Sequence, residues 1–391
     1  MITVAEAKKI IVENVELSEI VQLQLNQALN NCLAEDIFAP IDVPLFNQSA
    51  MDGYAFNFHE KENALTITDT IPAGDTRKIS VNKWEAVRIF TGSMVPDTCD
   101  TVVMQELTAI ENGKLLVKDA GLKLGGNIRE KGHQIKKGDL ALKKGSKIKP
   151  ATIGFLASLG IDQIKVYKTP TIAVLATGSE LVKPGKEVIA GQVYEANTFM
   201  LKAVLNSIGI EPKVTLLQDD LNETKSAIKN ALQNFDVLIL SGGISVGDYD
   251  FVKESLEENE VNQLFYKVKQ KPGKPLYFGK KQNKLVFALP GNPGAALNCF
   301  YLYVLPALNI ATGHSNPFLE QIQLPIGQSF KKKTGRANFL KAYSDGEKVT
   351  LLNGQGSDVL LSFSQSDCLV YLPEERESVQ ENELVDVILL P

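Results

Sequence analysis

The sequence predicts a multidomain protein of α/β plus β class, and three observations carry that expectation. The chain has 391 residues, more than one ordinary core organises, so two to four domains are expected. Apolar strand-like runs alternate with helical segments between Thr171 and Leu308, which points to a mostly parallel sheet covered by helices. Short β-type runs broken by Gly, Pro and Asp occupy residues 49–140 and return after His314, which suggests smaller β domains on either side.

The elements follow in order. Residues 3–33 place apolar side chains at helical spacing, with Val4, Ala7, Ile10 and Ile11 as the first face. The chain turns extended around Pro40 and Pro44. Residues 64–67, 86–90 and 101–104 read as short strands. Residues 151–159 read as a helix, because Pro150 suits a first turn. Residues 172–175, 214–217, 236–240 and 285–289 are buried-strand candidates. Helices are expected over 198–208, 221–232, 251–258 and 294–308, the first stopped by Gly209. Residues 348–352 and 384–390 return to a β pattern.

Composition excludes several classes. Apolar residues make up 44% and charged residues 22%, ordinary for a globular protein. A net charge of −5 argues against a general nucleic-acid binder. Residues 1–7 lack a basic region followed by an apolar core, so no signal peptide is expected, and no run is expected to reach the length of a membrane span. Cys32, Cys99, Cys299 and Cys368 are far apart, with no CxxC pair, which suits reduced thiols in the cytosol and no zinc site.

The functional signal lies in glycine-rich loops. Thr177-Gly178-Ser179-Glu180, Ser241-Gly242-Gly243 and Pro290-Gly291-Asn292-Pro293 sit at the carboxyl ends of expected strands, where open α/β sheets bind ligands. Glycine lets an anion approach the main chain closely. One such loop is equally well a tight strand-to-helix turn, whereas three on successive strands favour a phosphorylated ligand. Glu180, Asp219, Asp220, Asp248 and Asp250 all follow expected strand ends. Carboxylates there either hold Mg²⁺ shared with substrate phosphates or cap helices. Lys267, Lys269 and Lys271 alternate, which on an extended strand puts three ammonium groups on one face. With Lys274 they bracket Pro272-Gly273, and a bound oxyanion would relieve their crowding; a solvated surface strand is the plainer alternative. Alone, Asp52-Gly53 reads as a turn, and Thr91-Gly92 and residues 129–132 read as loops. His133 has no neighbouring His or Cys, so no metal role is expected of it.

In this order, Ser49-Ala50-Met51-Asp52-Gly53-Tyr54-Ala55, Thr91-Gly92 through Gln105-Glu106, Asn127-Ile128-Arg129, Thr177 to Leu181, Ser241 to Asp250, Lys271-Pro272-Gly273-Lys274-Pro275 and Leu289-Pro290-Gly291-Asn292-Pro293 resemble the molybdopterin molybdenumtransferase family. These MoeA-type proteins are also similar to the C-terminal domain of gephyrin. The likeness runs from about residue 3 to the C-terminus and is weakest after 315.

The resemblance implies an elongated N-terminal domain (1–48 and 138–169), an inserted β domain (49–137), an α/β molybdopterin-binding domain (170–313) and a C-terminal β barrel (314–391). It implies a cytoplasmic, Mg²⁺-dependent enzyme that inserts molybdate into adenylylated molybdopterin and releases AMP. It implies a homodimer, with the site between one subunit's α/β domain and its partner's β insertion, and other cofactor-synthesis proteins as candidate partners. Neither nucleic acid nor membrane is expected. Glu180, Asp219 and Asp250 match positions that handle metal or molybdate, and Lys267 and Lys271 match lysines near the oxyanion. Asp52 matches an aspartate supplied across the dimer, Pro290 and Pro293 shape the pocket, and Thr91 and Arg129 fall on loops of the insertion. Gly178, Ser241, Gly242, Gly243, Asp248, Lys274, Gly291 and Asn292 are expected at the substrate by their place in the matching loops. One departure stands out: where the family carries an acid and then aspartate before isoleucine, this chain reads His133-Gln134-Ile135, and Gln134 cannot carry that charge. The same loops suit two alternatives, a molybdopterin adenylyltransferase and a non-catalytic molybdopterin-binding scaffold.

Overall fold

A computed structural model describes residues 1–244 and 251–391. Its central sheet has six strands, in the order Lys213–Leu217, Ile172–Thr177, Val237–Ser241, Lys284–Leu289, Tyr277–Lys281 and Asn262–Tyr266. The first four are parallel and the last two antiparallel. Every residue of Ile172–Thr177 and Val237–Ser241 is buried, as a strand covered on both faces requires. Alternation sends Val174 and Ile239 to one core with Leu201 and Tyr303, and Leu175 and Leu240 to the other with Ile228 and Leu256. The antiparallel pair has no clear sequence signature, because Asn262–Tyr266 buries only Phe265.

The helices Pro293–Cys299 and Leu305–Ala311 join through a π-helical turn, Phe300–Val304. The turn sits just before Pro306, which has no N–H to continue the ladder. The combined run of 19 residues is long and apolar enough to cross a membrane, contrary to the sequence expectation. Its apolar window is 78% buried inside the protein, so its composition reflects a core position.

The helix Val4–Asn14 starts at a Thr3–Glu6 capping box and buries Val4, Ala7 and Ile11 on the central core. The helical reading of residues 3–33 fails beyond it. Ile20–Gln24 is a strand, paired antiparallel with Gln163–Tyr167, and a partner some 140 residues away decides that conformation.

The insertion forms a second six-stranded sheet, in the order Thr101–Met104, Gly53–Phe56, Glu85–Ile89, Leu65–Ile71, Lys114–Val117 and Thr108–Glu111. Gly53 opens a strand here instead of closing a turn. A Cβ on it would lie 1.8 Å from the Val103 carbonyl oxygen of the paired strand. Gly53→Ala is therefore expected to destabilise the insertion by about 3 kcal/mol, read as an earlier calorimetric transition. An unshifted transition would show that the two strands can separate without cost.

The C-terminal sheet runs Gln270–Lys271, Ala337–Ser344, Cys368–Leu372, Leu384–Leu389 and Gln321–Pro325, with Val349–Leu351 on the second strand. Gln270–Lys271 joins as a parallel edge, which tethers the turn at 271–275 to this sheet.

Candidate active site

The carboxyl ends of the parallel strands open on a cleft of about 750 Å³. Thr177, Gly178 and Glu180, then Asp219, then Ser241, Gly242 and Gly243, then Pro290, Gly291, Asn292 and Pro293 all line it. Side chains tie these loops together. The Ser179 N–H donates to Asp219 Oδ2 at 2.8 Å, and the Asp219 N–H donates to Ser179 Oγ at 3.3 Å. Asn197 Nδ2 donates to Ser241 Oγ and to the Gly291 carbonyl, each at 2.8 Å. Gly242 sits at φ +87° and donates its N–H to the Leu289 carbonyl at 3.3 Å, so that amide is already committed to holding two loops together. Asp220 is a helix cap, its carboxylate accepting from the Glu223 N–H at 2.8 Å, while its neighbour Asp219 faces the cleft.

The lysine expectation needs correction. Lys267 sits at φ +68°, which breaks the extended alternation on which one shared lysine face depended. Its ammonium lies 4.7 Å from the centre of the Tyr266 ring. The 271–275 turn reaches the cleft through Gly273 and Pro275, and Lys267, Lys271 and Lys274 are absent from its walls. Gly273 is required there, because a Cβ would come within 2.4 Å of Cys299 Sγ. Glu180 and Asp219 share the cleft, whereas Asp248 and Asp250 lie outside the described residues. Among the described residues no three His, Cys, Asp or Glu side chains form a metal-holding group.

Ser357 is a cleft residue that sequence reasoning missed. Its Oγ accepts from Asn292 Nδ2 at 2.7 Å, and its carbonyl accepts from the Ala295 N–H at 3.0 Å. The loop that carries it is held from within by Lys341, only 3% exposed. Lys341 Nζ donates to the carbonyls of Gly354, Gly356 and Val359 at 2.8, 3.0 and 2.9 Å. Gly354-Gln355-Gly356 just before Ser357 was the available signal, a fourth glycine-rich loop.

Asp52, Thr91 and Arg129 are exposed on the insertion and do not line this cleft. They are nevertheless neighbours. Asp52 Oδ1 accepts from the Thr91 N–H and from Thr91 Oγ1, both at 2.8 Å. The Thr91 amide first, and its hydroxyl second, hold the Asp52 carboxyl below the usual carboxylate range. Ile128–Arg129 pairs with Gln48–Ser49, and the Gly92 N–H donates to the Ser49 carbonyl at 2.9 Å. Three motifs far apart in sequence thus meet at one end of the insertion sheet.

Comparison with known proteins fits this arrangement. The MoeA N-terminal region (domain I and II) matches residues 2–160, a probable molybdopterin binding domain matches 173–310, and the MoeA C-terminal region (domain IV) matches 323–390. A molybdopterin molybdenumtransferase from Haemophilus influenzae is 36% identical over 402 residues, covering 99% of this chain and 98% of the relative. The chain belongs to the molybdopterin molybdenumtransferase family. Another family member, from Staphylococcus epidermidis, is 33% identical over 99% of this chain and 95% of its own length. The crystal structure of a molybdopterin biosynthesis MoeA protein from Pyrococcus horikosii matches with a TM-score of 0.81 and 31% identity, covering 100% of this chain and 99% of that one.

For a molybdopterin molybdenumtransferase the thiols are as informative as the acids. All four cysteines are buried and unpaired. Burial pushes Cys32 up to about 11 and Cys99 up to about 12, and moves Cys299 and Cys368 in the same direction. None is poised as a thiolate nucleophile or metal ligand at neutral pH. Gln134 is exposed beside the insertion loops, with its N–H donated to the Val43 carbonyl at 2.9 Å.

Proposed function

We propose that this protein inserts molybdate into adenylylated molybdopterin and releases AMP, in a site completed by the insertion of a second copy. The observation that carries this reading is the convergence of four strand-end loops, the 271–275 turn and Ser357 on one cleft. The reactants are both anions, so the work of the site is to position them and offset their repulsion. Glycine turns at 242, 243 and 291 let the phosphoanhydride lie against the main chain. Asn197 and Asn292 hold the loops that carry it. Glu180 and Asp219 fit Mg²⁺, since both present hard carboxylate oxygens to the same cleft. When bound, Mg²⁺ would withdraw charge from the phosphoanhydride. The substrate's own dithiolene receives molybdenum, in keeping with the protonated protein thiols.

Asp52, held ionised by Thr91, is proposed to reach the cleft of the partner subunit with Arg129, which accounts for their distance from the cleft of their own chain. The unpaired cysteines support a cytosolic location. The Ile326–Val349 bridge, which joins the far strands of the C-terminal sheet, supports reading that unit as a barrel.

The test is direct. Purified protein given adenylylated molybdopterin, molybdate and Mg²⁺ is expected to release AMP, and Glu180→Gln is expected to slow release by about an order of magnitude or more. AMP release that ignores molybdate, or synthesis of the adenylate from ATP and molybdopterin, would count against the reading.

A further inference from the structure

Among the described residues, two side-chain oxygen atoms on residues that line the cleft have no hydrogen-bond partner. Thr177 is 8% exposed, and its Oγ1 is buried without a partner. Asn197 Oδ1 is likewise buried and unpartnered. Both residues line the cleft and flank the same loop. Asn197 holds Ser241, while a Cβ on Gly243 would stand 2.9 Å from Thr177 Oγ1. The orientation of the Asn197 amide is set by chemistry: the Gly291 carbonyl can only accept, so the group facing it at 2.8 Å is the Nδ2 amide. Both Nδ2 hydrogens are spent on Ser241 and Gly291, which leaves Oδ1 as a pure acceptor.

Buried polar atoms are normally satisfied, and an exception inside a cleft calls for a ligand atom. A phosphate oxygen cannot serve Asn197 Oδ1, because both are acceptors. The hydrogen-bond partner of Asn197 Oδ1 must be an N–H or O–H.

We propose that Thr177 and Asn197 form a neutral recognition subsite beside the glycine loop, in which Asn197 Oδ1 accepts a hydrogen bond from an N–H or O–H on the organic part of the substrate and the Thr177 hydroxyl, able to donate or accept, bonds the same group. The donor is either a pterin N–H or an adenosine N–H or O–H. Glycine turns take the anion, and these two oxygens set the register of the group attached to it. This assignment rests on the function proposed above and adds the substrate atoms that the site reads.

Isothermal titration of the full chain with AMP, 6-hydroxymethylpterin and pyrophosphate tests it. Thr177→Val removes a hydroxyl that has no protein partner, so the melting temperature is expected to stay level or rise. Affinity for AMP or for the pterin is expected to fall about threefold to tenfold, and affinity for pyrophosphate to hold. Thr177→Ser, which keeps the hydroxyl, is expected to bind like the wild type. Asn197→Ala also loosens two loops, so all three probes should weaken, with AMP or the pterin weakened most. Whichever organic probe responds identifies the source of the donor. An equal loss for pyrophosphate in Thr177→Val would make Thr177 a phosphate donor or a loop support and overturn the subsite. Unchanged affinity of Thr177→Val for all three probes would overturn it while leaving the proposed function standing. A wild-type chain that binds none of the probes would overturn both.

Discussion

Gly242→Ala is expected to abolish most molybdenum transfer while leaving the fold in place. Gly242 ends the Val237–Ser241 strand at φ +87°, a conformation that costs an L-residue about 1–2 kcal/mol. The added methyl would also lie 2.9 Å from the Thr177 carbonyl oxygen. That oxygen belongs to a central strand paired on both sides, so it has little room to retreat. The loop must move outward instead, and it would lose the register between the Gly242 N–H and the Leu289 carbonyl. A displacement of about 1 Å at a positioning loop costs about a hundredfold in rate. Gly74→Ala is the matching control, since Gly74 has φ +86° with nothing within 4 Å of its would-be Cβ, and it bears strain without a clash. AMP release by the two variants, with circular dichroism of each, separates the effects. Near wild-type turnover by Gly242→Ala would remove the loop from the mechanism.

Lys341→Met is expected to destabilise the C-terminal unit by about 2–3 kcal/mol, because three part-buried carbonyls lose a shared charged donor and, among the described residues, only Ser362 Oγ remains to those of Gly354 and Val359, at 2.7 and 3.4 Å. Transfer should fall with it, although Lys341 does not line the cleft. The route is physical. Lys341 fixes residues 354–359, that loop presents Ser357, and Ser357 seats on Asn292 and Ala295 at the cleft wall. Lys341→Arg keeps cationic donors and should recover part of the lost stability. Ser357→Ala removes only the hydroxyl contact with Asn292, so it should lower activity with little change in melting temperature. If Lys341→Met melts and turns over like the wild type, the loop is held by something else.

Much of the central architecture was legible because its signals are local. Apolar runs such as 172–176 mark strands buried on both faces, and the described residues Phe251–Glu258 are helical as their own spacing predicts. The strand-end glycine loops at 178 and 242 are legible for the same reason, since a backbone conformation that favours glycine acts at the residue itself. The lysines were not. Their spacing predicts strand alternation through 267–271, and a single left-handed residue at Lys267 turns the side chains away from that pattern. Ile20–Gln24 departs from the helical expectation because its pairing with Gln163–Tyr167 overrides its local spacing.

By itself, then, the sequence determined the α/β core, the glycine loops at its strand ends, and the acids Glu180 and Asp219 at the sheet's rim. These depend on periodicity and on conformations that each residue settles with its near neighbours. Only the tertiary structure decided that Gly273 and Pro275, not the lysines beside them, reach the cleft, that Lys341 delivers Ser357 to it, and that Asp52 and Thr91 meet on a separate sheet. Those outcomes depend on contacts between segments far apart in the chain, and no local pattern encodes which distant surface a side chain will face.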